Sequence, residues 1–282
     1  MGLSYLFFPG CSYETAAGYR ESAEAVCSAV EVELEEIPEW NCCGASAVFS
    51  LDRAEGVWLA ARLAALAGRL GRLEIVSGCN GCISALKKGK KILLRDKGLL
   101  EQVRERLKKE SLKLDQADIK ELRVRHLLEV FVHDVPAQSW AKGSFHCKFR
   151  VAPYYGCLFS RPDGEIDDTE HPMLLESFIR LLGLDVVEHS MGTACCGASH
   201  SLPHKTAVSG LVERVIRGIQ IKNADLAAVI CPLCQFNLDS IQANFDLPPL
   251  PILYFTQVAG LGMGLPVSSL GLNKLLVPLK EG

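Results

Sequence analysis

Five consecutive residues, Cys42-Cys43-Gly44-Ala45-Ser46, return unchanged as Cys195-Cys196-Gly197-Ala198-Ser199. Each copy is followed at long range by a Cys-x-x-Cys, Cys79 with Cys82 and Cys231 with Cys234, and preceded by a lone cysteine, Cys11 and Cys157. Ten of the twelve cysteines therefore form two matched sets of five. The gaps are 30, none, 35 and two residues in the first set and 37, none, 34 and two in the second. A four-term spacing repeated this closely marks a tandem duplication whose unit is a five-thiol site.

The 282 residues accommodate two domains of similar size, expected at 1–143 and 144–282. A formal net charge of −3, with charges of both signs interspersed, argues against nucleic-acid binding. The first residues lack a basic leader and are cut short by Pro9-Gly10, unlike a signal peptide. The apolar run from Val57 to Leu70 carries Arg62 and Arg69 and falls short of the roughly 20 residues that span a bilayer. A cytoplasmic protein with no transmembrane segment is expected. In that reducing compartment the cysteines point to metal or redox chemistry rather than to disulfides.

Hydrophobic periodicity places each cysteine group just after a strand. Tyr5–Phe8 reads as a strand delivering Cys11, Thr15–Val30 as a helix and Val32–Glu35 as a strand leading to the Cys pair. A stripe at Leu51, Ala54, Val57, Trp58, Ala61, Ala64 and Ala65 predicts a helix, and Leu73–Val76 a strand before Cys79. The charged segment from Lys87 to Lys113 reads as helical with a solvated face, a docking face for an acidic partner being the alternative. A last helix is expected near His126–Val132 and a linker over 136–143.

The second half repeats this order, with strands at Val151–Tyr155, Asp185–Glu188 and Leu226–Ile230, and helices around Met173–Leu182 and Val208–Ile219. The predicted class is α/β: two pseudo-symmetric tandem repeats, each a small parallel βαβαβ unit. Loops at the carboxyl ends of such strands gather in one crevice, where the cysteines of each set would converge. A further short strand is expected at Ile252–Tyr254. The glycines at 260, 262 and 264 suit a helix end and turn better than a nucleotide loop.

Five thiolates exceed the four that a structural zinc takes, and adjacent cysteine side chains diverge, which suits neighbouring irons of a cluster better than one small ion. Gly44 and Gly197 allow close backbone approach. A helix after each Cys-x-x-Cys would turn its positive end to the sulfurs. Cys27, in a helical stripe, reads as a core thiol. Cys147 has no counterpart in the first half.

The lone Cys, Cys-Cys-Gly and Cys-x-x-Cys pattern, present twice, resembles the cysteine-rich CCG domain, and the two-copy chain is similar to the B subunit of heterodisulfide reductase. The similarity extends to Leu253-Tyr254-Phe255-Thr256-Gln257 and to Ser269-Leu270-Gly271-Leu272-Asn273-Lys274. One gap in each copy is a residue short of the family pattern. The resemblance implies two non-cubane [4Fe-4S] clusters, held by Cys11, Cys42, Cys43, Cys79 and Cys82 and by Cys157, Cys195, Cys196, Cys231 and Cys234. In that family the two clusters face each other and split a disulfide between them.

The resemblance further implies a ferredoxin-like C subunit and a flavoprotein A subunit as partners, and a small disulfide or thiol, or a thiol-carrying protein, as substrate. Three readings stay open. The chain is a disulfide-reducing or thiol-oxidising component, a non-catalytic electron-transfer component as in lactate or glycolate oxidase complexes, or a zinc-stapled interaction module. His200, His204 and Lys205, close in sequence to the second Cys pair, are candidates for proton donation or for holding an anionic substrate group.

Overall fold

The computed structural model describes residues 2–45, 47–140, 149–161 and 164–279. Along the first half run β1 (Leu3–Phe7), α1 (Cys11–Thr15), α2 (Tyr19–Ala29), β2 (Val32–Glu36), α3 (Val48–Leu51), α4 (Arg53–Arg69) and β3 (Glu74–Ser77). Next come α5 (Asn80–Arg95), α6 (Lys97–Lys108), α7 (Gln116–Glu121), β4 (Arg123–His126) and α8 (Leu127–His133). The second half holds β5 (Arg150–Tyr154), α9 (Leu174–Leu181), β6 (Asp185–Val186), α10 (Lys205–Gln220), β7 (Leu226–Val229), α11 (Pro232–Ile241), β8 (Ile252–Tyr254) and α12 (Phe255–Gly262).

Two four-stranded sheets form, in the orders β2-β1-β3-β4 and β6-β5-β7-β8. The pairs β1–β3 and β3–β4 are parallel, in register Leu6 with Ile75 and Ile75 with Val124. So are β5–β6, β5–β7 and β7–β8, with Tyr154 opposite Val229 and Val229 opposite Tyr254. The expected parallel repeats are present, each extended by a fourth strand. Central strands covered on both faces read as unbroken apolar runs, and Leu226–Val229 are all buried. By contrast β4, Arg-Val-Arg-His, carries one apolar residue in four, so its strand character is hidden and only the helix after it shows in the sequence.

The chain divides into two compact units, Met1–Cys11 with Glu33–Leu127, and Ser12–Val32 with Leu128–Gly282. In the first, Gly89 of α5 lies so close to α4 that a Cβ there would meet Ala60 Cβ at 2.5 Å. Asp52 caps α4 by accepting from Glu55 N at 3.0 Å. Leu51, expected within this helix's apolar stripe, instead ends the short α3 and is 85% exposed, because the Asp52 cap restarts the helix beyond it. The basic segment is engaged internally at several points. Lys88 lies over the Phe49 ring, Lys90 donates to Lys120 O and Leu122 O, and Arg106 pairs with Glu55 while covering Trp58.

In the second unit α2 packs on α12. The single helix expected over Thr15–Val30 is broken at Gly18, whose φ of +76° lies in the left-handed region and whose missing Cβ leaves room for Gly271 O. Gly271 returns the contact: a Cβ there would come within 2.4 Å of Gly18 Cα. Phe131 and Trp140 stack edge-on at 5.1 Å, and Trp140 meets Phe178 at 4.8 Å. The linker expected over 136–143 therefore begins as a packed 3-10 turn, Ala137–Trp140; its remainder, Cys147 and Ser46 lie outside the described residues. β6 is two residues long, half the expected length. Cys27 is buried in α2 and burial pushes its thiol up to about 12, as suits a core residue.

Candidate metal centres

Each cysteine group follows a strand of its own sheet, because a parallel strand must leave at its carboxyl end to enter the next crossover. In the first unit Cys11 follows β1, Cys42 and Cys43 follow β2, and Cys79 caps α5 directly after β3. Cys43 Sγ lies 3.3 Å from Cys82 Sγ, and Gly44 N–H points at Cys42 Sγ at 3.4 Å. Hydrogen bonds link Cys42 to Cys43 and Cys79 to Cys82, and Cys11 is near enough to bear on Cys42 electrostatically. All five thiols of the first set are thus brought together.

The second unit repeats the arrangement. Cys196 Sγ lies 3.4 Å from Cys234 Sγ, Gly197 N–H points at Cys195 Sγ at 3.3 Å, Cys157 bonds to Cys195, and Cys231 to Cys234. All these sulfurs are thiols rather than disulfides. In both groups three cysteines are buried and the others form a lip, Cys11 and Cys42 exposed in one, Cys195 exposed and Cys157 partly so in the other.

The thiols share their charge unevenly. Hydrogen bonds from Cys42 and then Cys82 hold Cys43 down to about 4, and in the second group a hydrogen bond from Cys157, backed by Gly197 N–H and His200, holds Cys195 to about 6. Their partners Cys42, Cys82, Cys157 and Cys234 are pushed up. One thiolate shared among close thiols is the expected behaviour of a sulfur cage.

Glycines leave room at the sulfurs. A Cβ on Gly10 would sit 2.8 Å from Cys82 Sγ and one on Gly156 would sit 2.9 Å from Cys234 Sγ, and both residues have positive φ, +66° and +71°. Among the described residues no three His, Cys, Asp or Glu side chains are gathered as ligands of a single ion. Five soft donors, spread over more than one ion's reach in a glycine-lined cage, fit a multi-iron sulfide cluster.

His200 stands beside Cys195, and its ring lies 5.9 Å from that of His204; both are exposed, as is Lys205, the first residue of α10. Two residues escape a reading of the sequence. Tyr154 donates to Ala194 O at 2.6 Å and lies within electrostatic reach of Cys234, Cys196, Cys157 and Cys195; Asn237 donates to Cys196 O at 2.5 Å. A tyrosine in an apolar strand and an asparagine in a helix read as core and surface, and only the fold brings them to the cysteines.

Tyr155, next in sequence, faces a cavity of about 700 Å³ lined also by Glu176, Arg180, Glu188, His189 and Lys222. Its hydroxyl accepts from Leu175 N at 2.7 Å and donates to Glu176, whose carboxyl burial pushes up. His189 donates from Nε2 to Pro153 O at 2.9 Å and accepts Met191 N–H on Nδ1 at 3.2 Å, an arrangement only the neutral ring can make.

Two parallel sheets, each offering Cys, Cys-Cys-Gly and Cys-x-x-Cys at its strand ends, define a duplicated cysteine-rich domain protein. The CCG cysteine-rich domain model matches residues 5–87 and 151–239, and the chain belongs to that family. It is 28% identical over 281 residues, 97% of this chain and 96% of the other, to the 8-methylmenaquinol:fumarate reductase membrane anchor subunit of Wolinella succinogenes. It is 26% identical over 279 residues, 95% of this chain and 91% of the other, to the B subunit of a CoB-CoM heterodisulfide reductase of Methanosarcina acetivorans. A heterodisulfide reductase B-subunit-like protein of Archaeoglobus profundus is 24% identical over 93% of this chain and 91% of its own. A hypothetical protein of Helicobacter pylori shares the fold, with TM-score 0.71 and 16% identity; this chain matches over 98% of its length and spans about half of that one, 52%. Among the described residues no helix is long and apolar enough to cross a membrane.

Proposed function

We propose that the chain is the iron–sulfur subunit of a multi-subunit reductase, carrying two non-cubane [4Fe-4S] clusters and exchanging electrons with a disulfide–thiol couple. The observation that carries this reading is the repeated convergence of five thiols at the carboxyl end of a parallel sheet, with buried cysteines on one side and a solvent-facing lip on the other. When bound, such a cluster supplies one-electron transfer and Lewis-acidic iron. The chain's own contribution is to hold the sulfurs by Cys11, Cys42, Cys43, Cys79 and Cys82 and by Cys157, Cys195, Cys196, Cys231 and Cys234. It also directs Gly44 and Gly197 N–H groups at them and leaves the Cys11–Cys42 and Cys157–Cys195 edges open to a thiol or disulfide. His200, beside Cys195, would supply a proton to a departing thiolate, and His204 and Lys205, close in sequence, would hold an anionic group. A ferredoxin-like C subunit and a flavoprotein A subunit would deliver electrons in a cytoplasmic complex.

A second reading rests on the Wolinella relative, a fumarate reductase component matched over nearly the whole of both chains. In it the clusters relay electrons between a quinol-linked partner and a flavoprotein, and no sulfur ligand binds. Protein purified anaerobically, analysed for iron and sulfide and then titrated with thiol and disulfide under electron paramagnetic resonance, distinguishes the two. Iron with sulfide and a spectrum altered by thiol supports the disulfide reading. An unaltered spectrum supports the relay, and stoichiometric zinc without sulfide sinks both.

A further inference from the structure

The two cysteine groups are built alike but tied down differently. In the second, both carbonyls flanking the Cys195–Cys196 pair are gripped by buried side chains: Tyr154 donates to Ala194 O at 2.6 Å and Asn237 to Cys196 O at 2.5 Å. Tyr154 is 0% and Asn237 1% exposed, and Ser201 Oγ fixes the amide by donating to Asn237 Oδ1 at 2.6 Å. Neither side chain is repeated at the matching position of the first group. The residue three before the lone cysteine there is Phe8, which has no hydroxyl, and the residue three after the Cys-x-x-Cys is Ala85, which has no side-chain donor.

The first pair is held from the other side. Asn41, directly before it, donates to Cys42 O at 3.0 Å and to Leu59 O at 3.1 Å. Asn41 Oδ1 accepts from Arg62 at 3.0 Å, and Arg62 pairs with Glu110 at 2.6 Å, their side chains 16% and 35% exposed. Water competes for such bonds and salt screens the ion pair, whereas the Asn237–Cys196 O bond is buried and the Tyr154–Ala194 O bond, part-buried at its carbonyl, is made by a side chain excluded from solvent.

We propose, building on the cluster reading, that the two sites are unequal by construction. Tyr154 and Asn237 are positioning residues that lock the Cys195–Cys196 turn, and the Cys42–Cys43 turn, held by a partly exposed arm, is the one that gives way when an outside sulfur ligand enters. The second site is then the fixed electron store and the first the adaptable one.

Peptide-resolved hydrogen–deuterium exchange on the full-length protein tests this whether or not iron is present. Amides of 194–197 should exchange roughly tenfold or more slowly than those of 41–44. Tyr154→Phe and Asn237→Ala should speed exchange in 194–197 and leave 41–44 unchanged. Tyr154→Phe keeps the ring and copies what the first repeat already carries at Phe8, so folding is preserved. In iron-loaded protein a ferrous chelator should remove iron in two phases, and the same variants should speed the slow phase alone. Equal exchange in the two segments, or no response to both variants, overturns the proposal. Absence of iron and sulfide overturns only the cluster reading, and the exchange data then still decide whether the turns are unequal.

Discussion

Ser22 Oγ and Thr256 Oγ1 lie 2.7 Å apart, both wholly excluded from solvent, although 234 residues separate them. Ser22 also donates to Tyr19 O at 3.1 Å, so Thr256 is the donor between the two hydroxyls. The contact joins α2 from near the start of the chain to α12 from near its end, inside one compact unit. Around it Tyr19 stacks on Tyr254 at 4.9 Å and Lys274 pairs with Glu21.

Ser22→Ala should therefore destabilise the second unit by about 1–3 kcal/mol, because the buried Thr256 hydroxyl loses its acceptor. Thr256→Val should cost less, since Ser22 keeps its bond to Tyr19 O. Denaturant unfolding of both variants checks the order.

Gly156→Ala should empty the second site selectively. Its Cβ would crowd Cys234 Sγ at 2.9 Å, and its φ of +71° strains any side chain. Iron and sulfide per chain should fall by about half, with circular dichroism unchanged. Gly10→Ala should do the same at the first site, and the double variant should bind none.

His189 sets a pH dependence of stability. Burial holds its folded pKa below the free value of 6.5, Pro153 O opposes this and Lys222 adds to it. The unfolded chain then binds more protons than the folded one as pH drops through 6.5, so stability falls with falling pH in that window and is complete above it. A melting-temperature series across this range should show the loss, and His189→Gln should flatten it.

Asp239 is 3% exposed and accepts from Leu276 N at 2.9 Å, Val277 N at 3.1 Å and Gln235 Nε2 at 3.1 Å. Asp239→Asn swaps one acceptor oxygen for a donor and leaves at least one of these N–H groups unpaired. The expected outcome is a loss of about 1–3 kcal/mol and faster proteolysis near residues 274–279, read by limited digestion.

The cysteine pattern makes the repeat, the parallel sheets and the convergence of the sulfurs legible, because ten matched residues report one geometry twice. Strands whose burial is complete, such as Leu226–Val229, are equally plain. β4 is not, since Arg123 and Arg125 mask a strand defined only by pairing with β3. Nor is the break at Gly18, which depends on Gly271 far along the chain. Tyr154 and Asn237 stay hidden for the same reason: their role lies in the carbonyls they meet, and no local periodicity encodes a partner 40 or 41 residues away.

Residues 12–32 are synthesised early but belong to the unit completed by the last stretch of the chain. A ribosome must therefore release this segment long before the surface it rests on exists, and α2 waits unshielded until α12 emerges. Cutting the gene between its two repeats would not yield two working modules, since the second would lack a helix encoded at the far end of the first.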